Sequence, residues 1–443
     1  MTATARRAIL ILVGLLLAGC TAGTDALSST STSGDRTAGA TAATATTASP
    51  PTTTPSTTAP ETSPPVPTTT LPAAALPGWD TWTLIYASLE IASYPQRDAE
   101  AIAATLDDAA VLRSDDYPSL NPGYWAVYGG SYGSRDEAGR SCPLELDPEL
   151  SCYPRYLGPR VDELLAAGAA IVQMGVRLAV VDPATGATLR TISDAFNIDA
   201  VYPGRFALVP GAGVLFYGLG AEDSWYDCGT EKGQIRRLDL ESGADTRFTA
   251  GWWPSISPDG RWLAVASAAD CNPDPENADW FVAPGSQVEV FDLRDDSAAP
   301  GHVLTVSVAA TNYGDPTEIG ASFWDGSTGE LLVVVGGDQV HRIGFDAGGP
   351  IDAAPVVYET LDSQLVGVTP EAYYVVAHQG QMTTLSALAR SDGRTLTSMR
   401  TGSWLPAVAV DAAGSVLIGL DSTLILPDGR VVALPGMVDN VAW

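Results

Sequence analysis

The sequence predicts a mainly β protein: a six-bladed β-propeller, with seven blades as the alternative, preceded by a small α+β domain of ferredoxin-like type. Three observations carry this expectation. From about Arg160 to the C-terminus, short apolar strands alternate with Gly, Asp and Pro turns, without a long amphipathic helix. The stretch "SPDGRWLAVAS" from Ser257 has counterparts in "AAGAAIVQMG", "VPGAGVLFYG", "DGSTGELLVVVG", "TPEAYYVVAH" and "DAAGSVLIGL". A second hairpin, such as "IRRLDLESGADTRFT" or "VEVFDLRDDSAAPGHVLTV", follows each at a similar offset. Two hairpins per roughly 40 to 55 residues is the period of a four-stranded blade.

The chain has 443 residues and is 45% hydrophobic, enough to bury a sizeable core and to form two domains. Its formal charge of −29, from 52 acidic against 23 basic residues, repels phosphate backbones, so nucleic acid is not an expected partner. At the N-terminus, Arg6 and Arg7 precede the apolar run Ala8 to Leu17, followed by Ala18-Gly19-Cys20. A positive n-region, a short h-region and small residues before the cut describe a secretory signal, too short to span a bilayer comfortably. Leu17-Ala18-Gly19-Cys20 resembles a bacterial lipobox. That resemblance implies removal of residues 1–19 and lipidation of Cys20, by palmitate among other acyl groups. The mature protein is then expected on the outer face of the cell membrane.

Residues 20–77 join this cysteine to a run of Thr, Ala, Ser and Pro. Such a segment cannot bury enough apolar surface to offset its ordering entropy, and its prolines favour polyproline II, so it reads as a disordered tether. Extended, it reaches on the order of 170 Å, enough to carry the folded part into the cell wall or periplasm.

Residues 78–160 read as a compact α+β unit. "TWTLIYASLEI" is a strand, "RDAEAIAATLDD" has helical spacing, "GYWAVYGGSY" is a second strand, "SRDEAGRSC" is a helix with Ser134 as N-cap, "CYPRYLG" is a last short strand, and the intervening "AAVLRSDDYPSL" has room for one more. Trp82-Thr83-Leu84-Ile85, and Tyr124-Trp125-Ala126-Val127-Tyr128-Gly129-Gly130 followed by Ser134-Arg135-Asp136-Glu137-Ala138, carry a resemblance to SPOR domains. The resemblance implies peptidoglycan glycan binding on the sheet face. The first strand departs from that family at Tyr86-Ala87-Ser88-Leu89. Gly129-Gly130-Ser131-Tyr132-Gly133 matches the letters of a nucleophile elbow, but its strand context makes it a turn.

Residues 161–443 form the propeller. In its best-defined hairpin, Pro258 presets φ, Asp259 bonds its own backbone and Gly260 takes the positive φ that closes the turn. Ser257 to Ala264 is similar to the TolB-type, WD40-like repeat. The final "MVDNVAW" is strand-like with no hairpin after it, and is expected to complete the first blade.

The mature chain keeps four cysteines besides Cys20, an even number in an oxidising compartment. Cys142 and Cys152 lie in one short loop. Cys228 and Cys271 lie in the two long loops Gly220–Gly233 and Ala268–Gly285, at equivalent positions of neighbouring blades, and the expected pairs are Cys142–Cys152 and Cys228–Cys271. The same loops place Trp225, Tyr226, Asp227, Asp270, Asp274, Glu276, Asp279, Trp280 and Phe281 on one face, where aromatic anchors and rim charges suit a protein or glycan partner. Asp270, Asn272, Asp274 and Glu276 alternate as calcium ligands do, but Pro275 stands where such a loop needs glycine, so neither calcium nor another cofactor is expected. His302, His341 and His378 show no metal or triad spacing.

The expectation is a non-enzymatic, lipid-anchored envelope protein that binds peptidoglycan through its small domain and a protein or glycan through its propeller. The rival is an exported hydrolase or lyase with its active site on the long-loop face. A general acid-base pair on the propeller axis would favour the rival.

Overall fold

The computed structural model describes residues 80–143, 150–196, 206–219, 233–267, 287–295, 299–308, 318–346, 349–360, 363–379, 382–401, 406–411 and 413–443. The signal, Cys20, the tether, Cys228, Cys271 and the nine candidate binding residues of the long loops lie outside these ranges.

The first unit runs β1 (Thr81–Glu90), α1 (Gln96–Ala103), β2 (Ala109–Arg113), β3 (Tyr124–Tyr132), α2 (Arg135–Arg140) and β4 (Tyr153–Leu157). Its antiparallel sheet has the order β2-β3-β1-β4. Alternation along β1 sends Trp82, Leu84 and Tyr86 to one face, where Ala99 and Ala103 of α1 and Ala138 of α2 cover them. Ser134 caps α2 by accepting from the Glu137 N–H. The opposite face carries Ile85, Leu112, Ala126, Tyr128 and Leu157, and is covered by Tyr117 and Leu120. These two belong to a strap between β2 and β3. It crosses from β2 at one edge to β4 at the other, where Ser119 Oγ donates to the Tyr156 carbonyl at 2.6 Å.

Cys142 and Cys152 form a disulfide that links the end of α2 to the start of β4 across 10 residues. Replacing both with serine is expected to lower stability by roughly 2 to 3 kcal/mol, read as a fall in the denaturant midpoint at unchanged slope.

A short helix, α3 (Val161–Ala166), opens the second unit where the sequence signals strands and turns alone. Its six residues are too few for a helical period to register. Val161 is fully buried.

The remaining strands are β5 (Ala170–Met174), β6 (Arg177–Val181), β7 (Thr188–Ser193), β8 (Phe206–Val209), β9 (Val214–Leu219), β10 (Gln234–Asp239) and β11 (Asp245–Ala250). Next come β12 (Trp252–Ile256), β13 (Trp262–Ser267), β14 (Gln287–Asp292), β15 (His302–Thr305), β16 (Ile319–Trp324), β17 (Leu331–Val335), β18 (Gln339–Ile343) and β19 (Val356–Glu359). The chain ends with β20 (Ser363–Val368), β21 (Ala372–Gln379), β22 (Met382–Ala389), β23 (Thr395–Thr401), β24 (Ala407–Val410), β25 (Val416–Leu420), β26 (Thr423–Ile425), β27 (Val431–Ala433) and β28 (Asn440–Ala442).

Among the described residues these strands pair into four-stranded antiparallel sheets: β8 to β11, β12 to β15, β16 to β19, β20 to β23 and β24 to β27 in chain order, and β28-β5-β6-β7. The first strand of each sheet touches the first strand of the next, from β28 through β8, β12, β16, β20 and β24 back to β28. This closed ring of radial sheets is a β-propeller, sealed where β28 pairs with β5.

Burial depends on position in the ring. Second strands lie between neighbouring sheets and read as unbroken apolar runs: all five residues of β17, Leu-Leu-Val-Val-Val, are buried. Outer strands such as β19 and β23 have water on one side and are partly exposed along their length.

The turns are set by short polar side chains. Ser257 Oγ donates to Asp259 Oδ1 at 2.6 Å and accepts the Trp262 N–H at 2.8 Å, while Asp259 also accepts the Arg261 N–H. Gly260 adopts φ 70°, and a Cβ there would lie 3.2 Å from Pro210 of the adjoining sheet. Asp259 is thus a turn-former.

Candidate functional site

First strands converge on the axis, where a taper admits small residues: Ala207, Gly367, Ala407, Ala409 and Ala442 line a central cavity of about 220 Å³. A Cβ on Gly367 would approach Val408 Cγ1 to 3.0 Å. Aromatic and proline side chains complete the wall, with Phe206, Trp253, Phe323 and Trp443 beside Pro210, Pro254, Pro258 and Pro370. Pro210, Pro258 and Pro370 sit in or beside the turns that leave the first strands. This mouth therefore lies on the face of the Ser257–Gly260 turn.

Besides backbone groups and indole nitrogens, the described wall carries the polar side chains of Ser255, Ser257, Gln364, Asp411 and Asn440. Asn440 Nδ2 donates to Gln173 Oε1 at 2.8 Å, and Gln173 Nε2 donates onward to the Gly175 carbonyl, so this buried amide pair is satisfied internally. Ser255 Oγ is buried with no hydrogen-bond partner among the described residues, and the Ser255 carbonyl accepts the Trp324 indole N–H at 3.1 Å. Asp411 is the one charged residue among the described lining residues, and its carboxylate accepts the Ser415 N–H at 2.7 Å inside its own turn. An acid-base pair or an activated nucleophile needs two such groups within hydrogen-bond reach. On the described walls the Ser257 hydroxyl and the Asp411 carboxylate are committed to their own turns, and the Ser255 hydroxyl has no hydrogen-bond partner.

At the opposite end, a shallow depression of about 530 Å³ between the fourth and fifth sheets in chain order is lined by Gly337, Asp338, Ser363, Gln364 and His378. Gln364 also lines the axial cavity. His378 Nδ1 lies 3.2 Å from Thr383 Oγ1. This is the end at which β9 and β13 finish and β10 and β14 begin, and the candidate binding residues of the sequence fall between those strands, outside the described residues.

Sequence reasoning missed the axial residues Trp253, Phe323, Gln364 and Asn440. A usable signal was present: each lies on a first strand, the strand that precedes a turn such as Ser257–Gly260 or, for Asn440, closes the ring. The strands after the turns carry the clearer apolar repeat, whereas the strands before the turns line the axis.

No family model matches the sequence, and no curated protein does. Solved structures with some likeness to the chain include TolB from Acinetobacter baumannii, at 15% identity and TM-score 0.39, over 62% of this chain and 65% of that one. The chain thus spans just under two thirds of the length of TolB. Others are apo AztD from Citrobacter koseri, at 13% identity and TM-score 0.34, over 62% and 96% of the two chains, and the periplasmic gluconolactonase PpgL of Pseudomonas aeruginosa, at 17% identity and TM-score 0.35, over 60% and 81%. The propeller itself stands on the strand order and the closed ring.

Proposed function

We propose that the protein is an exported lipoprotein, anchored through Cys20, whose six-bladed TolB-like propeller is a non-enzymatic scaffold for recognising an envelope protein. One observation carries the reading: the described wall of the axial cavity sets Phe206, Trp253, Phe323 and Trp443 around a single charged residue, Asp411, which is held within its own turn. Rigidly held aromatic side chains at such a mouth suit the anchoring of a protein segment. The loops with Trp225, Tyr226, Asp227, Asp270, Asp274, Glu276, Asp279, Trp280 and Phe281 are the proposed outer contact on the polar end, with Cys228 and Cys271 joining them. Export rests on the signal sequence and lipid anchoring on the Leu17–Cys20 motif.

Glycan binding by the SPOR-like, ferredoxin-like domain belongs to the proposal in a narrower form. A glycan on that sheet face needs the strap to release Ser119 from Tyr156. Sedimentation of the full chain with purified cell-wall sacculi measures this.

Photo-crosslinking in intact cells tests the propeller reading. A benzophenone side chain replacing Gln364 is expected to trap one discrete protein adduct, and the same group replacing Leu396, half exposed on β23, to trap none. Absence of an adduct at 364, or equal labelling at both positions, would overturn it.

A further inference from the structure

We infer that the small domain is a fixed side-mount: it locks onto the circumference of the propeller, so that the chain before Asp80 is joined to the outer strand of one sheet and both ends of the axial cavity stay clear. This does not depend on what the cavity binds.

The joint is built around Arg190 on β7, the outermost strand of the sheet β28-β5-β6-β7. Its side chain is 0% exposed. The guanidinium lies over the Tyr156 ring at 3.9 Å and near the Trp82 ring at 4.9 Å, both from the small domain. Its two terminal nitrogens donate to Glu241 of the propeller, Nη1 to Oε2 at 3.0 Å and Nη2 to the carbonyl at 2.8 Å. The propeller therefore holds the charge in place, and the small domain supplies the aromatic faces that shield it.

Directed hydrogen bonds fix the angle. The Trp82 indole N–H donates to the Thr191 carbonyl at 2.9 Å. Asp136 Oδ2 accepts from Ser193 Oγ and the Asp194 N–H, and Ser134 Oγ donates to Asp194 Oδ2 at 2.8 Å. A hinge would have to break these together and expose Trp82, now 1% exposed, together with a desolvated arginine. Domains joined by small polar interfaces move by default, whereas this one places an aromatic pair and a buried cation at its centre.

The entry point of the chain belongs to the same cluster. The Asp80 N–H donates to the Leu157 carbonyl at 2.8 Å, and Asp80 Oδ1 accepts from the Tyr156 hydroxyl at 3.1 Å. Tyr156 is the ring against which Arg190 stacks. A pull on the preceding segment thus passes through Asp80 and Tyr156 into β7. None of the described residues that line the axial cavity takes part in these contacts.

Electron-electron distance measurement on the purified full chain tests the joint, with genetically encoded spin labels replacing Arg97, whose side chain is 83% exposed, and Leu396, 50% exposed. A single narrow distance is expected. Arg190→Ala is expected to lose it, and Trp82→Phe, which keeps an aromatic ring but deletes the donor to Thr191, to broaden it less. Trp82→Phe serves if Arg190→Ala does not fold. A broad or two-peaked distribution in the unsubstituted chain overturns the inference, as does an unchanged narrow peak in the folded variants.

Discussion

Removing residues 438–443 is expected to abolish cooperative folding of the propeller. Asn440, Val441 and Ala442 are 5, 4 and 3% exposed and form the innermost strand of the sheet completed by β5, β6 and β7. Without them β5, buried along its full length, becomes an exposed edge. Val438 fits over Gly419, where a Cβ would come within 2.4 Å of its methyl, so that contact is lost too. Burial of a valine is worth about 2 kcal/mol, and each orphaned backbone group costs about 1 to 3 kcal/mol. The sum approaches the whole stability of a typical domain, about 5 to 15 kcal/mol. Circular dichroism melts and protease resistance check this, and a truncated chain melting within a few degrees of the intact one would refute strand closure as the source of stability.

The second large effect is expected at Asp325, a fully buried carboxylate at the end of β16. It accepts both terminal nitrogens of Arg390, a residue of the next sheet, together with Ser327 N–H and Oγ, and Arg342 Nη2 lies 3.4 Å away. Burial by itself would raise its pKa. The hydrogen bonds from Arg390 and Ser327 outweigh that and hold it well below the usual carboxylate range. Asp325→Asn leaves Arg390, with a side chain 10% exposed, without its counter-charge and is expected to cost about 3 kcal/mol.

The pH dependence follows from the depressed pKa. An unfolded aspartate titrates near about 3.9, so the stabilisation from Asp325 is complete above that value and fades as pH falls toward the folded pKa. Urea melts of the intact chain should therefore lose stability below about pH 4 more steeply than those of Asp325→Asn. Parallel slopes for the two proteins would show that the Arg390 pair does not govern acid stability.

Much of the fold was legible because it is local. Pro258, Asp259 and Gly260 specify a turn by their own backbone preferences, and Ser134 three residues before Glu137 specifies a helix start wherever the segment lies. The strand-like end of the chain lacks a hairpin partner, which points to closure by an earlier strand, and β28 pairs with β5. The short helix α3 escaped because its six residues, fewer than two turns, leave no period to read. The axial wall escaped for a different reason. Strand alternation says which side chains share a face, but not which face meets the axis of a ring.

The sequence by itself determined the strands, their turns, the order in which hairpins succeed one another and the segment left to close the ring. Each depends on residues a few positions apart. The tertiary structure decided what lines the axis, which arginine meets Asp325 from 65 residues away, and that Arg190 meets Trp82 from the other domain. Those pairings arise when sheets pack side by side and two domains dock. The energy of a buried charge then depends on partners that local sequence does not place.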